Sequence, residues 1–291
     1  MLSETGKTRS GRPETASKLG ILLNTFLFGG KLTVSILSGS IALISDTLNS
    51  FSDILASVGI YIAVRIGNKK ADANHPFGHE RVEPLSGIIV AIFTGILGFE
   101  VLRSGIVAVF SHRQVTNIPW VMGILLVTII VKTFMTVYFF SASRKYRSPG
   151  LKATAVDSRN DVLISSIAMI GVAGTWTQIQ WLEGVAAIII SIFILYSAFT
   201  LGRENIDFLV GKAPPEEMIR EISEVVMKVE GVKGINAILA HYVGNTVHIE
   251  IHVALDGGLQ FSRAHDIGTD VQEAVEKLES VNRAFIHVDP V

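Results

Sequence analysis

Polar side chains that can bind metal ions fall inside two strongly apolar segments of the sequence, where ionisable residues are costly. Asn49 and Asp53 lie four positions apart in the first segment, and Asp157 and Asp161 lie four apart in the second. This spacing places both members of each pair on one face of a helix. Acids that face one another at low dielectric constant repel unless a cation or a proton lies between them. The pattern therefore predicts a site for one divalent cation whose binding releases protons, because acids deprotonate to bind metal.

Alternative roles for these acids stay open on the sequence alone. They could form ion pairs with Lys31, Lys132 or Arg159, or lie at helix ends in water. Asp46 suits a structural pair as well as it suits a ligand. An intramembrane aspartyl protease also needs two acids on separate helices, but the usual Gly-x-Gly-Asp context is absent here. A monovalent cation/proton antiporter and a metal sensor without transport are further alternatives, although a sensor has no need for paired acids in two membrane spans.

Three more charged residues in apolar segments suit structural roles. Glu100 and Arg103 are spaced at i and i+3, which favours an ion pair on one helix face. Glu183 opens the last apolar segment, where an acid suits the positive end of the helix dipole. It is therefore predicted to cap that helix.

Six apolar segments are long enough to place these residues in a membrane. A spanning helix needs roughly 20 mostly apolar residues, and the candidates are 19–38, 41–64, 84–109, 118–141, 153–174 and 181–201. Only Ser38-Gly39-Ser40 separates the first two, which predicts a tight helical hairpin. The 291-residue chain has 49% hydrophobic residues, 18% charged residues and a mean hydropathy of +0.47, and is thus more apolar than a typical soluble protein. It has no cysteine, which excludes disulfides and thiolate metal sites.

Basic residues are concentrated in alternate loops, which predicts the orientation of the chain. Lys and Arg resist translocation. One set of loops holds twelve basic residues, whereas the opposite set holds only Arg113. Both termini are therefore predicted to be cytoplasmic, in a multi-pass protein of the cell (inner) membrane.

The distribution of charge divides the chain into domains. Residues 1–202 hold 17 Lys and Arg against 11 Asp and Glu, whereas residues 203–291 hold 8 against 15. We therefore expect a disordered N-terminal tail over 1–17, a membrane domain over 18–205 and an acidic cytoplasmic domain over 206–291.

The acidic domain carries the pattern of a small α+β fold. A helix is predicted from Pro214 to Gly231, and strand-like runs over 235–243 and 246–255 flank the hairpin signal Gly244-Asn245. A helix over 262–279 precedes a short strand over 283–288. This order predicts an antiparallel or mixed sheet. The sequence has no Walker-type glycine-rich loop and no basic stripe, so neither a nucleic-acid partner nor a prosthetic group is expected.

Three motifs resemble the cation diffusion facilitator family. Its second helix is similar to Ser38-Gly39-Ser40-Ile41-Ala42 followed by Asp46-Thr47-Leu48-Asn49-Ser50-Phe51-Ser52-Asp53. Its cytoplasmic loop before the third helix is similar to His75-Pro76-Phe77-Gly78-His79-Glu80-Arg81-Val82-Glu83-Pro84-Leu85. Its fifth-helix motif is similar to Asp157-Ser158-Arg159-Asn160-Asp161. The likeness extends over residues 18–291.

The resemblance implies a homodimer in the lipid bilayer. Each protomer would have an all-α membrane domain of six transmembrane helices followed by a small α+β, ferredoxin-like cytoplasmic domain. The implied function is transport rather than enzymatic catalysis: export of a divalent metal in exchange for protons by alternating access.

The transported metal is predicted from the fifth-helix motif. Zinc-transporting members of the family carry a His where this chain has Asp157, and the set Asn49, Asp53, Asp157 and Asp161 resembles the manganese-type subgroup. Carboxylate and amide oxygens also suit Mn²⁺, although such sites bind Zn²⁺, Fe²⁺ and Co²⁺ too. Mn²⁺ is the predicted cargo, and a Zn²⁺ or Fe²⁺ exporter of the same family is the alternative.

A second candidate metal site lies in the cytoplasmic loop before the third helix. Asp72, His75 and His79 match a loop site of some family members, and their spacing of i, i+3 and i+7 supplies three ligands. The two histidines also belong to the general loop motif, which occurs in members without that site.

A third candidate metal site lies in the cytoplasmic domain. By resemblance to zinc-transporting members, His252, His265, His287 and Asp289 stand at metal-binding positions, where they could bind a regulatory ion. Asn236 replaces a further His of those members. A polar surface or a dimer contact is the alternative for this group.

Overall fold

The computed structural model describes residues 11–67, 69, 71–111, 115–146, 149–244, 246–278 and 280–291. Predictions that rest on residues 1–10, on Lys70, Arg113 and Arg147, and on Asn245 of the hairpin turn lie outside these described residues. The chain divides into two compact units. One contains the residues up to Val58 with Val90–Thr200, and the other contains Gly59–Ile89 with Leu201–Val291.

Long helices form the apolar part of the chain. In the described residues they are α1 (Gly11–Ser38), α2 (Ile41–Gly67), α3 (Val82–Phe110), α4 (Ile118–Tyr146), α5 (Pro149–Trp176) and α6 (Trp181–Val210). Lipid offers no hydrogen-bond partner, so an apolar run satisfies its backbone groups internally as a helix. At 1.5 Å per residue each helix extends for about 40–45 Å, which exceeds the roughly 30 Å hydrocarbon core of a bilayer.

Five of these helices, α1 to α4 and α6, are long and apolar enough to cross a membrane. The segment predicted over 153–174 is helical in α5. Its first half carries Lys152, Asp157, Arg159 and Asp161, which lower its hydropathy. The prediction of six apolar spans is therefore confirmed for five helices, and the fifth helix in the chain is the charged one.

Two helices extend beyond their predicted polar ends. α1 begins at Gly11, inside the segment 1–17 that was predicted as a tail. α6 continues to Val210, past the predicted end of its span at 201 and past the predicted domain boundary at 205. It ends at Gly211, whose φ of +100° lets the Lys212 N–H donate to the Asp207 carbonyl at 2.9 Å. Hydropathy marks only the part of a helix that lies in lipid, and these helices continue into the polar regions.

Glu183 opens α6 as predicted and also contacts the start of a second helix. It lies in the first turn of α6, but its Oε1 is 2.5 Å from Ser40 Oγ and 3.5 Å from the backbone nitrogen of Ala42. Both partners lie at the start of α2, directly after the turn at Gly39, where φ is +65°. The buried acid thus faces the positive end of the α2 dipole and joins α6 to α2.

The first unit packs its helices around small and branched side chains. Leu43 of α2, Ala168 of α5 and Ile190 of α6 are fully buried in one cluster. α3 and α6 approach closely at Gly105 and Gly184, where a Cβ added to Gly184 would lie 2.8 Å from the Gly105 carbonyl oxygen. Small residues permit this contact between backbones, as in other membrane helix pairs.

The second unit contains the α+β domain. Its elements are α7 (Glu216–Val226), β1 (Gly234–Val243), β2 (Thr246–Leu255), α8 (Phe261–Glu276) and β3 (Val281–Pro290). The sheet order is β1-β2-β3, in which β2 pairs antiparallel with β1 and parallel with β3. The predicted mixed sheet is confirmed. Both helices are shorter than predicted, because turns follow Val226 and Glu276, and β3 is longer.

The core of this domain lies between the sheet and the two helices. Ile222 of α7, Ile251 of β2 and Val271 of α8 have no exposed surface. Gly244 in the β1–β2 turn has a φ of +60°, which the hairpin signal predicts. β2 therefore lies at the centre of the sheet with its apolar side chains in this core.

Candidate metal centres

The membrane site is the group formed by Asn49, Asp53, Asp157 and Asp161. The structure joins α2 to α5 here, because Asn49 Nδ2 donates to Asp161 Oδ1 at 3.1 Å. Asp161 is buried, and its other carboxylate oxygen accepts a hydrogen bond from Lys132 Nζ of α4. A polar centre formed by three helices therefore lies in the apolar unit.

The two remaining members of the membrane site lie one helical turn from this pair. Asp53 follows Asn49 on α2, and Asp157 precedes Asp161 on α5. Both side chains are exposed, and among the described residues no hydrogen bond or ion pair connects either acid to the Asn49–Asp161 pair. A hydrogen bond thus connects two of the four predicted ligands, and the other two lie near enough to interact electrostatically with Asp161. Lys132, one of the predicted ion-pair partners, donates to one oxygen of Asp161.

Asp46 forms a separate, fully buried ion pair. Its Oδ2 lies 2.8 Å from Lys31 Nζ of α1, and both side chains have no exposed surface. Ser165 of α5 donates to the same carboxylate at 3.0 Å, and Lys31 also reaches Ser50 Oγ at 3.3 Å. Of the two roles open to Asp46, the structure assigns the ion pair. It connects α1 with the two helices that carry the membrane site.

The loop cluster consists of Asp72, His75 and His79, whose ligand atoms lie within 4.8 Å of one another. Asp72 Oδ1 is 3.3 Å from His75 Nδ1, and Asp72 Oδ2 is 3.3 Å from His79 Nε2. The Asp72 carboxylate also accepts the backbone N–H of His75 at 2.7 Å and of Asn74 at 2.9 Å. The hydrogen bond from the His75 N–H is the main reason that the pKa of Asp72 lies below its usual value. The predicted ligands are brought together, with the acid held in its metal-binding form.

Glu80 fastens this loop to the end of the sheet. Its Oε2 accepts from Thr246 Oγ1 at 2.9 Å, and its Oε1 accepts from Asn282 Nδ2 at 3.0 Å. Phe77 lies under the Arg283 guanidinium, 5.7 Å from the ring centroid, and beside the His248 ring. This contact leaves no signal in the sequence, because its partners are separated by 166 and 202 positions in the chain.

The tail cluster consists of His252, His287 and Asp289, whose ligand atoms also lie within 4.8 Å of one another. His252 of β2 pairs directly with His287 of β3, and their ring centroids are 4.7 Å apart. His287 Nε2 lies 3.2 Å from Asp289 Oδ1, and Asn236 Nδ2 donates to Asp289 Oδ2 at 2.7 Å. Asn236 sits at an irregularity of the β1–β2 ladder, and such a bulge redirects a side chain. Three of the four predicted ligands are thus assembled.

His265 is the predicted ligand that does not join the tail cluster within one chain. It lies on α8 beside Asp266 and Phe261, with 68% of its side chain exposed. In its place, Glu250 Oε1 lies 3.0 Å from His252 Nε2. The alternation of β2 places Glu250 and His252 on one face.

His248 is buried near the Glu80 contact. Burial, reinforced by the neighbouring His241, lowers the pKa of His248 below the usual value for histidine. Its cross-strand partner His241 lies with its ring centroid 6.0 Å away. The imidazole is therefore neutral at physiological pH.

The helices, the polar centre among them and the metal-ligand clusters define a multi-pass membrane transporter for cations. Residues 17–210 match the family model of the cation efflux transmembrane domain, and residues 214–291 match that of the cation efflux protein cytoplasmic domain. The chain belongs to the cation diffusion facilitator family, whose members are divalent metal efflux transporters, and it resembles the manganese subgroup.

Several curated proteins are similar in sequence to almost the whole of this chain. An uncharacterized transporter of Methanocaldococcus jannaschii, MJ0449, is 32% identical over 94% of this chain and 96% of its own length. The manganese efflux system protein MneS of Bacillus subtilis is 28% identical over 96% of both chains. Metal tolerance protein 7 of Oryza sativa is 29% identical over 94% of this chain and 70% of its own. Among solved structures, the cadmium form of a MamM CTD variant is 27% identical, with a TM-score of 0.26 over 26% of this chain and 96% of that one.

Proposed function

We propose that this transporter exports Mn²⁺ in exchange for protons by alternating access. The membrane site would bind the ion through Asn49, Asp53, Asp157 and Asp161. The observation that carries the proposal is the contact between Asn49 and Asp161, which links the ligand-bearing faces of α2 and α5. Small movements of these two helices would close the four oxygen ligands on an ion or separate them.

The preference for Mn²⁺ rests on the chemistry of the ligands. All four side chains offer oxygen, and oxygen ligands suit Mn²⁺, whereas imidazole suits Zn²⁺. Two Bacillus subtilis relatives, which are 28% and 27% identical to this chain, are described as manganese efflux system proteins. These relatives support the same direction of transport and the same cargo.

Proton exchange follows from the charge of the membrane site. Without metal, three carboxylates share a low-dielectric region with one ammonium, so protons must replace the departing ion. Protonation on the outward side would release the metal, and deprotonation on the cytoplasmic side would restore the ligands. The distribution of basic loops supports cytoplasmic termini and a place in the cell membrane.

The loop and tail clusters are proposed as regulatory metal sites in a homodimer. Each has an Asp and two His within reach of one ion, outside the membrane helices. His265 is exposed on α8, so a second copy of the chain would have to supply it to a tail cluster. Because these clusters contain imidazole, Zn²⁺ is a candidate occupant. Zinc export is therefore the second candidate function.

The test is a proteoliposome flux assay with an imposed pH gradient. Wild type and Asp157→His would be compared with Mn²⁺, Zn²⁺, Fe²⁺, Co²⁺ and Na⁺. We expect the wild type to transport Mn²⁺ coupled to protons. The variant should prefer Zn²⁺ to Mn²⁺, because one oxygen ligand becomes an imidazole. Glu100→Gln is the matched control, because it removes an acid from a membrane helix at an exposed ion pair.

Three results would contradict this function. Wild-type transport of Zn²⁺ as fast as Mn²⁺ would refute the selectivity. Full activity of Asp53→Ala or Asp157→Ala would refute the ligand assignment. Sodium flux that is independent of divalent ions would favour a monovalent cation antiporter.

A further inference from the structure

Lys132 is the one described cation that contacts a proposed ligand of the membrane site. It is 4% exposed, lies within α4, and donates to Asp161 Oδ2. No other hydrogen-bond acceptor for its ammonium group is found among the described residues. Asp161 is therefore its one hydrogen-bonded partner among those residues, while Asp53 and Asp157 act on its charge from farther away.

The neighbouring cations have other positions. Lys31 is committed to Asp46 at 2.8 Å, and Arg159 is exposed on α5. Lys132 is therefore the cation whose position depends on whether Asp161 binds something else. A lysine suits this role, because its charge sits on a flexible stem of four carbons that can withdraw.

The contact between Lys132 and Asp161 also changes the net charge of the membrane site. Asp53, Asp157 and Asp161 carry three negative charges when they bind metal, and Lys132 contributes one positive charge. The site as a whole then has a net charge of −2, which one divalent ion neutralises. Without the lysine, the same carboxylates would leave a divalent ion with an uncompensated negative charge and would better match a trivalent one.

We propose that Lys132 is the internal counter-cation of the membrane site. Its ammonium group occupies the place of the metal at Asp161 before an ion binds, and it moves aside when a divalent ion arrives. Its charge also sets the net charge that the site offers to its cargo. This inference rests on the proposed transport site. It gives Lys132 two effects, which are competition with the incoming ion and assistance in its departure.

The geometry also explains how Asn49 serves both states. Its Nδ2 donates to Asp161 Oδ1, which leaves its carbonyl oxygen available for an ion. The amide thus keeps α2 attached to α5 while the ammonium group and the metal exchange at Oδ2. Displacement of Lys132 requires a side-chain movement on α4 and no break between α2 and α5.

The experiment compares Lys132→Gln and Lys132→Arg with the wild type in Mn²⁺ proteoliposome transport. Lys132→Gln removes the competitor, so the KM for Mn²⁺ should fall about tenfold while kcat also falls, because a more negative site holds the ion longer. La³⁺ serves as a trivalent probe, and its inhibition constant relative to the Mn²⁺ KM should fall by a further factor of about ten in the glutamine variant. Lys132→Arg keeps the charge and should retain the wild-type ratio.

Controls separate this inference from a structural effect and from the proposed function. Arg144→Gln removes one positive charge from an exposed position of the same helix and should change neither constant. A glutamine variant with unchanged or raised KM and an unchanged La³⁺ ratio overturns the counter-cation role. If Lys132→Gln does not fold, Lys132→Arg provides the test. A ratio of the La³⁺ inhibition constant to the Mn²⁺ KM that is far from the wild-type value in this variant then overturns the counter-cation role. Asp161→Asn tests the site itself: if it transports normally, the proposed function fails, whatever Lys132 does.

Discussion

The buried ion pair between Lys31 and Asp46 gives the sharpest prediction about stability. Replacement of Lys31 by Met removes the ammonium group 2.8 Å from the Asp46 carboxylate, and neither side chain has any exposed surface. Among the described residues, the Ser165 hydroxyl, at 3.0 Å, is then the one side chain left to donate a hydrogen bond to the acid. Removing one partner of such a pair typically costs about 3–5 kcal/mol, because the other charge stays buried without compensation.

The double variant Lys31→Met/Asp46→Asn separates the ion pair from the packing around it. It removes both charges and keeps a polar group for Ser165, so most of the loss should be recovered. We expect Asp46→Asn alone to be destabilised as well, which gives a coupling energy of at least about 2 kcal/mol in the double-mutant cycle.

The assay is thermal unfolding of the full chain in detergent. At roughly 2–4 °C per kcal/mol for a chain of this order of size, Lys31→Met should lower the apparent Tm by about 10 °C. The control is Lys152→Met, which removes an exposed lysine and should leave the Tm unchanged. A Tm of Lys31→Met equal to that of the wild type, or a double variant no more stable than the single ones, would refute the reasoning. The structural role would then belong to other contacts of α1.

Three further predictions concern the second unit. Glu80→Ala removes two hydrogen bonds to a carboxylate, which are worth about 2 kcal/mol together at a partly exposed site. Amide hydrogen exchange over residues 72–81 should therefore accelerate by more than about tenfold. Unchanged exchange would show that the loop is held by other contacts. The lowered pKa of His248 means that the unfolded state binds a proton more readily than the folded state. The free energy of unfolding should therefore fall as the pH drops below about 6.5, the pKa of histidine in the unfolded chain. Thermal melts between pH 5 and 8 should show a smaller fall in Tm for His248→Gln than for the wild type, and an equal fall would implicate other groups. His287→Ala should weaken metal binding at the tail cluster by at least about tenfold, measured by calorimetry on the full chain with Zn²⁺, whereas His265→Ala should do so only if a second copy supplies that residue.

The sequence predicts the helical part of this protein well because long apolar runs have one stable form in lipid. Their polar ends are harder to predict: α6 continues to Val210 although its apolar run stops earlier, and hydropathy carries no information about a helix in water. Likewise α5 is a full helix of 28 residues, but its charges separate it from the apolar spans. The charged residues of α5, rather than its secondary structure, therefore distinguish it from the apolar helices.

The candidate sites were predictable to the extent that their ligands are close in sequence. Asp72 and His79 fall on one loop, and the motif is visible directly. The partner of Glu183 was not predictable, because Ser40 lies 143 positions away and an acid in the first turn normally stabilises its own helix. Lys132 was visible only as one of several cations, and the choice among them required the packing of α4 against α5.

The tail cluster has a geometry that is set by the pairing of two strands. His252 and His287 are directly opposite in a parallel ladder, and the distance between their rings follows from the spacing of about 4.8 Å between strands. A site of this kind is preorganised, so metal binding has little backbone entropy to overcome, and its affinity can be altered one side chain at a time. The irregularity at Asn236 already directs a side chain at Asp289 from the far strand. Asn236→His would therefore place a third imidazole at the cluster without any new backbone conformation, which makes this strand position the simplest route by which descendants of this chain could gain a tighter metal site.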